Sequence, residues 1–180
     1  MVTVTIDTNS INYLRRDRHL NQLEAWHRAG LIEITRTSVM VEELVANLGP
    51  KGKARLKKAT GYQEGAPGFT IGVSRLGGPD VLGGPASHGL APVIENALFP
   101  NVPFDKLIER QRRDALHLAI HKGYGWDYFV TKDKGILCRQ QELEDEFDIH
   151  ALSPEEAVGV IGRALKEAGS AQRPLKRRVQ

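Results

Sequence analysis

The stretch Val2-Thr3-Val4-Thr5-Ile6-Asp7-Thr8-Asn9 decides the fold. Val, Thr and Ile are stiff at χ1 and favour extended, pleated backbone, so the run reads as a buried strand ending at Asp7. Asp7-Thr8-Asn9 is turn and helix-capping chemistry, which stops that strand on a carboxylate. In an open parallel sheet, ligands gather outside the carboxyl ends of the strands. An acid at a strand tip therefore raises the question of which other acids join it there.

Working outward, Asn9 or Ser10 caps a short helix over Ile11–Arg18, and a second is expected over Asn21–Ala29 with Gly30 as its left-handed stop. Leu31–Thr35 alternates and is β-branched, as a strand should be. Thr37-Ser38 then caps a helix Val39–Leu48 that Gly49-Pro50 closes, with Val39, Leu44 and Leu48 as its apolar stripe. That helix carries Glu42 and Glu43 side by side. At about 100° of rotation per residue only one of them can face a given site. The basic segment Lys51–Lys58 reads as an exposed helix.

Between Gly61 and Pro103 glycine and proline crowd the chain, and a segment of that length and composition reads as an insertion or lid, with a strand at Phe69–Val73. Gly77-Gly78-Pro79 lacks the Gly-Lys-Ser/Thr of a phosphate-binding loop and reads as plain turns. Order returns with a long helix over Asp105–Lys122, burying Ile108, Ala115, Leu116, Ala119 and Ile120, and Asp114, His117 and His121 share one of its stripes. Tyr128–Thr131 is a strand followed by Asp133. Lys134–Glu142 reads as a helix, Phe147–His150 as a last strand, and Ser153-Pro154-Glu155-Glu156 opens a final helix.

Strands alternating with helices imply an α/β fold: a mostly parallel sheet with helices on both faces, its strand tips opening on one side. Asp7, one of Glu42 and Glu43, Asp114 and Asp133 can then converge. Close carboxylates repel unless they take up protons or hold a cation, so such a cluster makes sense chiefly as a hard-metal site, with Mg²⁺ or Mn²⁺ as the occupant.

Composition narrows the class. A chain of 180 residues, 41% hydrophobic and 26% charged, suits one folded domain, read as residues 1–168, with a basic flexible tail over 169–180. The formal charge of +3 and the pI near 9.1 are compatible with a polyanionic partner without singling one out. Cys138 is the only cysteine, so no internal disulfide forms. No window approaches the length of a membrane span and no signal segment precedes the first strand, so a cytoplasmic protein with no membrane partner is expected.

The residues carry a resemblance. Ile6-Asp7-Thr8-Asn9, Glu43-Leu44 on the helix after the second strand, Asp114-Ala115-Leu116-His117-Leu118-Ala119, and Phe129-Val130-Thr131-Lys132-Asp133 resemble, in that order, the four motifs of the PIN-domain ribonucleases, the VapC-like toxins among them. The resemblance spans roughly residues 2–150 and excludes most of the Gly/Pro-rich stretch. It implies a three-layer α/β/α Rossmann-like domain in which Asp7, Glu43, Asp114 and Asp133 bind one or two Mg²⁺ or Mn²⁺ ions and hydrolyse RNA phosphodiester bonds. Within it Glu43 is preferred to Glu42, because the acid followed by leucine matches the motif. Asn9 and Thr131 would support the site by orienting carboxylates or a metal-bound water. Since many members are toxins of bacterial toxin–antitoxin pairs, it also implies an antitoxin partner and a homodimer.

Other readings stand beside this one. Asp7 alone is good capping chemistry, and Asp133 and Asp114 alone suit a turn and a solvated helix. His117 and His121, four apart, would suit zinc, but no Cys or His cluster completes that shell, so ordinary helix histidines are expected. A haloacid-dehalogenase-type phosphohydrolase needs a second acid two residues after Asp7, where Asn9 stands. From a different class, a catalytically inactive PIN-like domain would bind RNA or a partner without metal. For RNA backbone contact the candidates are the basic clusters Lys51–Lys58 and Arg110–Arg113, with Lys51, Lys53, Arg55, Arg112 and Arg113 foremost. Core packing is the expectation for Tyr62, Trp126 and Tyr128, and Asp127 is expected to be structural.

Overall fold

A computed structural model describes residues 1–13, 17–46, 49–65 and 89–171. The strand expected at Phe69–Val73 and the tail from residue 172 onward lie outside them. Five strands, β1 (Val2–Ile6), β2 (Ile32–Thr37), β3 (Gln63–Gly65), β4 (Tyr128–Val130) and β5 (Ala151–Leu152), form one sheet in the order β3-β2-β1-β4-β5. Every pairing is parallel. The connecting helices are α1 (Thr8–Tyr13), α2 (Arg18–Arg28), α3 (Ser38–Ala46), α4 (Pro50–Ala59), α5 (Leu90–Leu98), α6 (Glu109–Gly123), α7 (Lys134–Leu137), α8 (Gln140–Phe147) and α9 (Pro154–Ala171).

The pleat sorts the strand residues between two cores. Val4 and Ile6, with Ile32, Ile34 and Val130, pack against Leu20 and Leu23 of α2 and Ala157 and Ile161 of α9. On the other face Phe129 packs with Ile94 and Leu98 of α5, Ala115, Leu118 and Ala119 of α6, and Leu143 of α8. That second face carries threonines, and two histidines of α6 satisfy them. Thr5 Oγ1 bonds Thr35 Oγ1 at 3.1 Å and His121 Nδ1 at 2.7 Å, while Thr37 Oγ1 bonds His117 Nδ1 at 2.5 Å. Buried hydroxyls left without partners would be costly, so the pairs fix α6 in register against the sheet.

Several element boundaries differ from those read in the sequence, each for a local reason. The segment read as a Gly/Pro-rich insertion holds two elements of the domain: edge strand β3, in register with β2 through Arg36↔Glu64, and helix α5, whose Ile94 is fully buried. Pro92 falls in the first turn of α5, where its missing N–H breaks no helical bond. Pro50 opens α4. The long helix begins at Glu109, after a 3-10 turn Phe104–Lys106, and Ile108 at its N-cap is 61% exposed rather than buried. The strand expected at Phe147–His150 forms instead at Ala151–Leu152, because Phe147 ends α8 and Asp148 caps it in the left-handed region at φ 51°.

Asp127 has the structural role expected, its Oδ2 accepting from Thr3 N–H and Thr3 Oγ1 at 2.7 Å each. Tyr62 packs in the first core with its hydroxyl donating to Glu24. Trp126 stacks on Tyr124 with ring centroids 4.8 Å apart, and Tyr128 packs against the first core. Among the described residues no helix is long and apolar enough to cross a membrane.

Candidate metal centre

The tips of β1 and β4 are tied to each other. Asp7 N–H donates to Val130 O at 3.0 Å, carrying the ladder one residue past β1. Thr131, just past β4, is fully buried; its Oγ1 donates to Asp7 Oδ2 at 2.8 Å and accepts from Asp133 N–H at 2.9 Å. One hydroxyl therefore orients the first acid and anchors the backbone of the last. Asp7 O accepts from Ser10 N–H, so α1 starts directly on the acid and carries Thr8 and Asn9 to the rim of the same cleft.

That cleft, of about 440 Å³, is lined by Asp7, Thr8, Asn9, Glu43, Glu109, Arg110, Arg113 and Asp114. β2 runs straight into α3, which turns Glu43 into the cleft and leaves Glu42 exposed. α6 supplies Asp114 and, one turn later, His117, whose Nε2 lies 3.6 Å from Glu43 Oε2. His117 is only 2% exposed and its Nε2 makes no hydrogen bond, so it is aimed at the acids without closing on any of them.

The charges bear the mark of crowding. Burial raises the affinity of the Asp7 carboxyl for its proton, against the opposing pull of His117 and Thr131. Burial, followed by the like charges of Asp133 and Asp7, pushes the Asp114 carboxyl up to about 7. Burial also opposes ionisation of Glu43, but the His117 imidazole 3.6 Å away outweighs it and holds Glu43 below the usual carboxylate range. Burial disfavours the charged form of His117, yet Glu43, Asp7 and Asp114 together raise its proton affinity. His121, one turn further on, is pushed down to about 3 by burial and by Lys122. It bonds Thr5 far from the acids, as an ordinary helix histidine does.

Asp133 lies close enough to raise the proton affinity of Asp114, yet its own carboxylate is already engaged. It does not line the cleft; its Oδ1 caps α7 through Gly135 N–H at 2.7 Å, and its Oδ2 is held by Arg110 Nη2 at 2.8 Å. Among the described residues, no three His, Cys, Asp or Glu side chains stand close enough together to form a ready metal shell. The donor set nevertheless suits a hard divalent cation. Asp7, Glu43 and Asp114 line one polar cleft beside the Arg113-paired Glu109, and the raised proton affinities of Asp7 and Asp114 are the cost that a bound cation would relieve.

The basic residues divide. Arg113 lines the cleft but is paired with Glu109 at 2.5 Å. Arg112, expected at an RNA contact, turns away: it donates to Phe104 O at 2.8 Å and lies 4.6 Å over the Phe104 ring. Lys53 is exposed and Arg55 half-buried on α4, outside the cleft lining, and the Lys51 side chain is outside the described residues. The sequence set Arg110 in a basic cluster with Arg112 and Arg113 but gave no sign that it pairs with Asp133 at the cleft. Its spacing of four from Asp114 was the available signal that it lines the cleft, since i and i+4 share a helix face.

A scan against protein-family models and a search of curated proteins found no match. Among solved structures, the chain is similar to one in the crystal structure of VapBC2 from Rickettsia felis bound to a DNA fragment from their promoter. The TM-score is 0.51 at 12% identity, covering 84% of this chain and 98% of that one. At that identity the likeness shows the fold alone. A five-stranded all-parallel sheet flanked by helices is consistent with the PIN-like, Rossmann-type architecture that the four motifs imply.

Proposed function

We propose that this protein is a divalent-metal-dependent ribonuclease, with Mg²⁺ or Mn²⁺ as its cofactor. The observation that carries the reading is the convergence of Asp7, Glu43 and Asp114 from three separate elements on one cleft, with Asp133 tied to Asp7 through Thr131. The cation, when bound, supplies an activated water and neutralises charge on the phosphodiester. The chain's own residues do the rest. Asp7 and Asp114 present carboxylate oxygens, Glu43 is kept ionised by its contact with His117, and Thr131 fixes the rotamer of Asp7. Arg110 and Arg113, at the mouth of the cleft, meet the RNA backbone, and the exposed basic face of α4 with Lys53 extends that contact.

The neighbouring structure is a complex named VapBC2, which supports an antitoxin as the protein partner of this chain and a place in a toxin–antitoxin pair. The alternative, an inactive RNA- or partner-binding PIN-like module, would leave the acids without a cation. The test is cleavage of an end-labelled single-stranded RNA in Mg²⁺ or Mn²⁺, with EDTA and Asp7→Asn as controls. Metal-dependent cutting that is lost in Asp7→Asn supports the nuclease. Binding of RNA without cutting over a panel of sequences, unaffected by EDTA, favours the binding module.

A further inference from the structure

Three of the four motif acids, Asp7, Glu43 and Asp114, line the cleft together with Glu109, and the fourth, Asp133, is held by an arginine. Both carboxylate oxygens of Asp133 are engaged, Oδ1 by Gly135 N–H and Oδ2 by Arg110. Arg110 stands one turn before Asp114 on α6 and lines the cleft. Its side chain is 68% exposed while that of Asp133 is 15% exposed, so the pair is held by charge and not by packing around the guanidinium. Exposed pairs of this kind are weak and exchange readily for a better anion. A phosphodiester is such an anion, because the planar fork of arginine fits phosphate oxygens as well as it fits a carboxylate. Arg113, the other arginine of the cleft, is tied to Glu109, and its charge also favours the ionised form of Glu43 rather than engaging Asp133 as Arg110 does.

Building on the nuclease reading above, we propose that Arg110 is a two-position side chain that couples RNA binding to completion of the metal site. Without substrate it is the counter-cation of Asp133. With RNA in the cleft it exchanges that carboxylate for a backbone phosphate, and Asp133 Oδ2 is released to join the acids beside it. No covalent bond changes; one ion pair is traded for another. Because coupling between two ligands is reciprocal, RNA must then raise the affinity for cation by the same factor as cation raises the affinity for RNA.

The experiment measures the dissociation constant of Mn²⁺ for the full chain by electron paramagnetic resonance, with and without a saturating single-stranded RNA octamer carrying phosphorothioate linkages that resist cleavage. It is run on the wild type, Arg110→Gln and Arg113→Gln, each checked for native circular dichroism. In the wild type the oligomer should tighten Mn²⁺ binding by roughly five- to tenfold. In Arg110→Gln, Mn²⁺ should bind more tightly in the absence of RNA, and the oligomer should change its affinity by less than about twofold, the coupling having been removed. Arg113→Gln should weaken RNA binding but keep the coupling. Full coupling in Arg110→Gln, or its equal loss in Arg113→Gln, would overturn the two-position arginine while leaving the nuclease reading intact. No Mn²⁺ binding by the wild type in either condition would overturn both.

Discussion

Asp114 and His121 sit seven residues apart on α6, and burial moves their proton affinities in opposite senses. Asp114 is pushed up to about 7 from 3.8, so the folded state holds an extra proton between those values. Stability therefore falls as pH rises from about 4 to 7, and the metal-free protein carries that cost in full above pH 7. Asp114→Asn should raise the stability of the metal-free protein at pH 8 by about 1–3 kcal/mol, should leave it unchanged near pH 3.5, and should cost it Mn²⁺ binding. Urea melts in EDTA at the two pH values check the sign. His121 is pushed down to about 3 from 6.5, so the unfolded chain takes up the proton first on acidification. Its contribution is complete above pH 6.5 and is lost as pH falls toward 3, by about 2 kcal/mol at pH 5. His121→Gln, which keeps a polar partner for Thr5, should flatten that dependence over pH 6.5–5 in the same melts.

At the scale of elements, edge strand β3 is locked by the aromatic pair that follows α6. A methyl group at Gly65 would meet Trp126 Cη2 at 2.4 Å and Tyr124 Cε2 at 3.0 Å. Gly65→Ala should cost about 1–3 kcal/mol by overpacking. It should shift the urea midpoint without changing the slope. The same strand shows where the sequence was hard to read. Gln63-Glu64-Gly65 has no apolar alternation, and its strand character comes from pairing with Arg36 across the sheet. α5 was hidden for another reason, since Gly89 and Pro92 read as loop until Ile94, Ala97 and Leu98 are seen against α6. β1 and β4 were legible because β-branched and aromatic residues bounded by Asp7 and Asp133 leave little else for them to be. α3 placed Glu43 toward the cleft and Glu42 toward solvent, a choice that helical rotation narrowed to one of two and tertiary packing made. What the sequence did not reveal is that Asp133 is held by Arg110, because a pairing across 23 residues depends on how α6 lies over the sheet.

For the whole molecule, the topology explains why acids from distant parts of the chain meet. β1 and β4 are neighbours in the sheet although 124 residues separate Asp7 from its hydrogen-bond partner Thr131. Parallel strands put both tips on one edge, and α3 and α6 bring Glu43 and Asp114 to the same place. The molecule is also cationic overall, at +3, with Lys53 and Lys57 exposed on α4. Reversing both, as Lys53→Glu with Lys57→Glu, should weaken RNA binding by roughly three- to tenfold at low salt, with the deficit shrinking as salt rises. Filter binding over a salt series checks this, and a deficit independent of salt would remove α4 from the RNA path.

The central claim is that the edge formed by β1, β4, α3 and α6 holds a divalent cation. Its most direct test is an Mn²⁺ binding isotherm at pH 7.5, followed by electron paramagnetic resonance, for the wild type, Asp7→Asn and Asp114→Asn. Saturable binding in the wild type, weakened at least about tenfold in each variant while the fold is retained, is the result predicted. Binding that is absent from the wild type, or unchanged in both variants, would contradict the claim and leave the cluster of acids without a metal to hold.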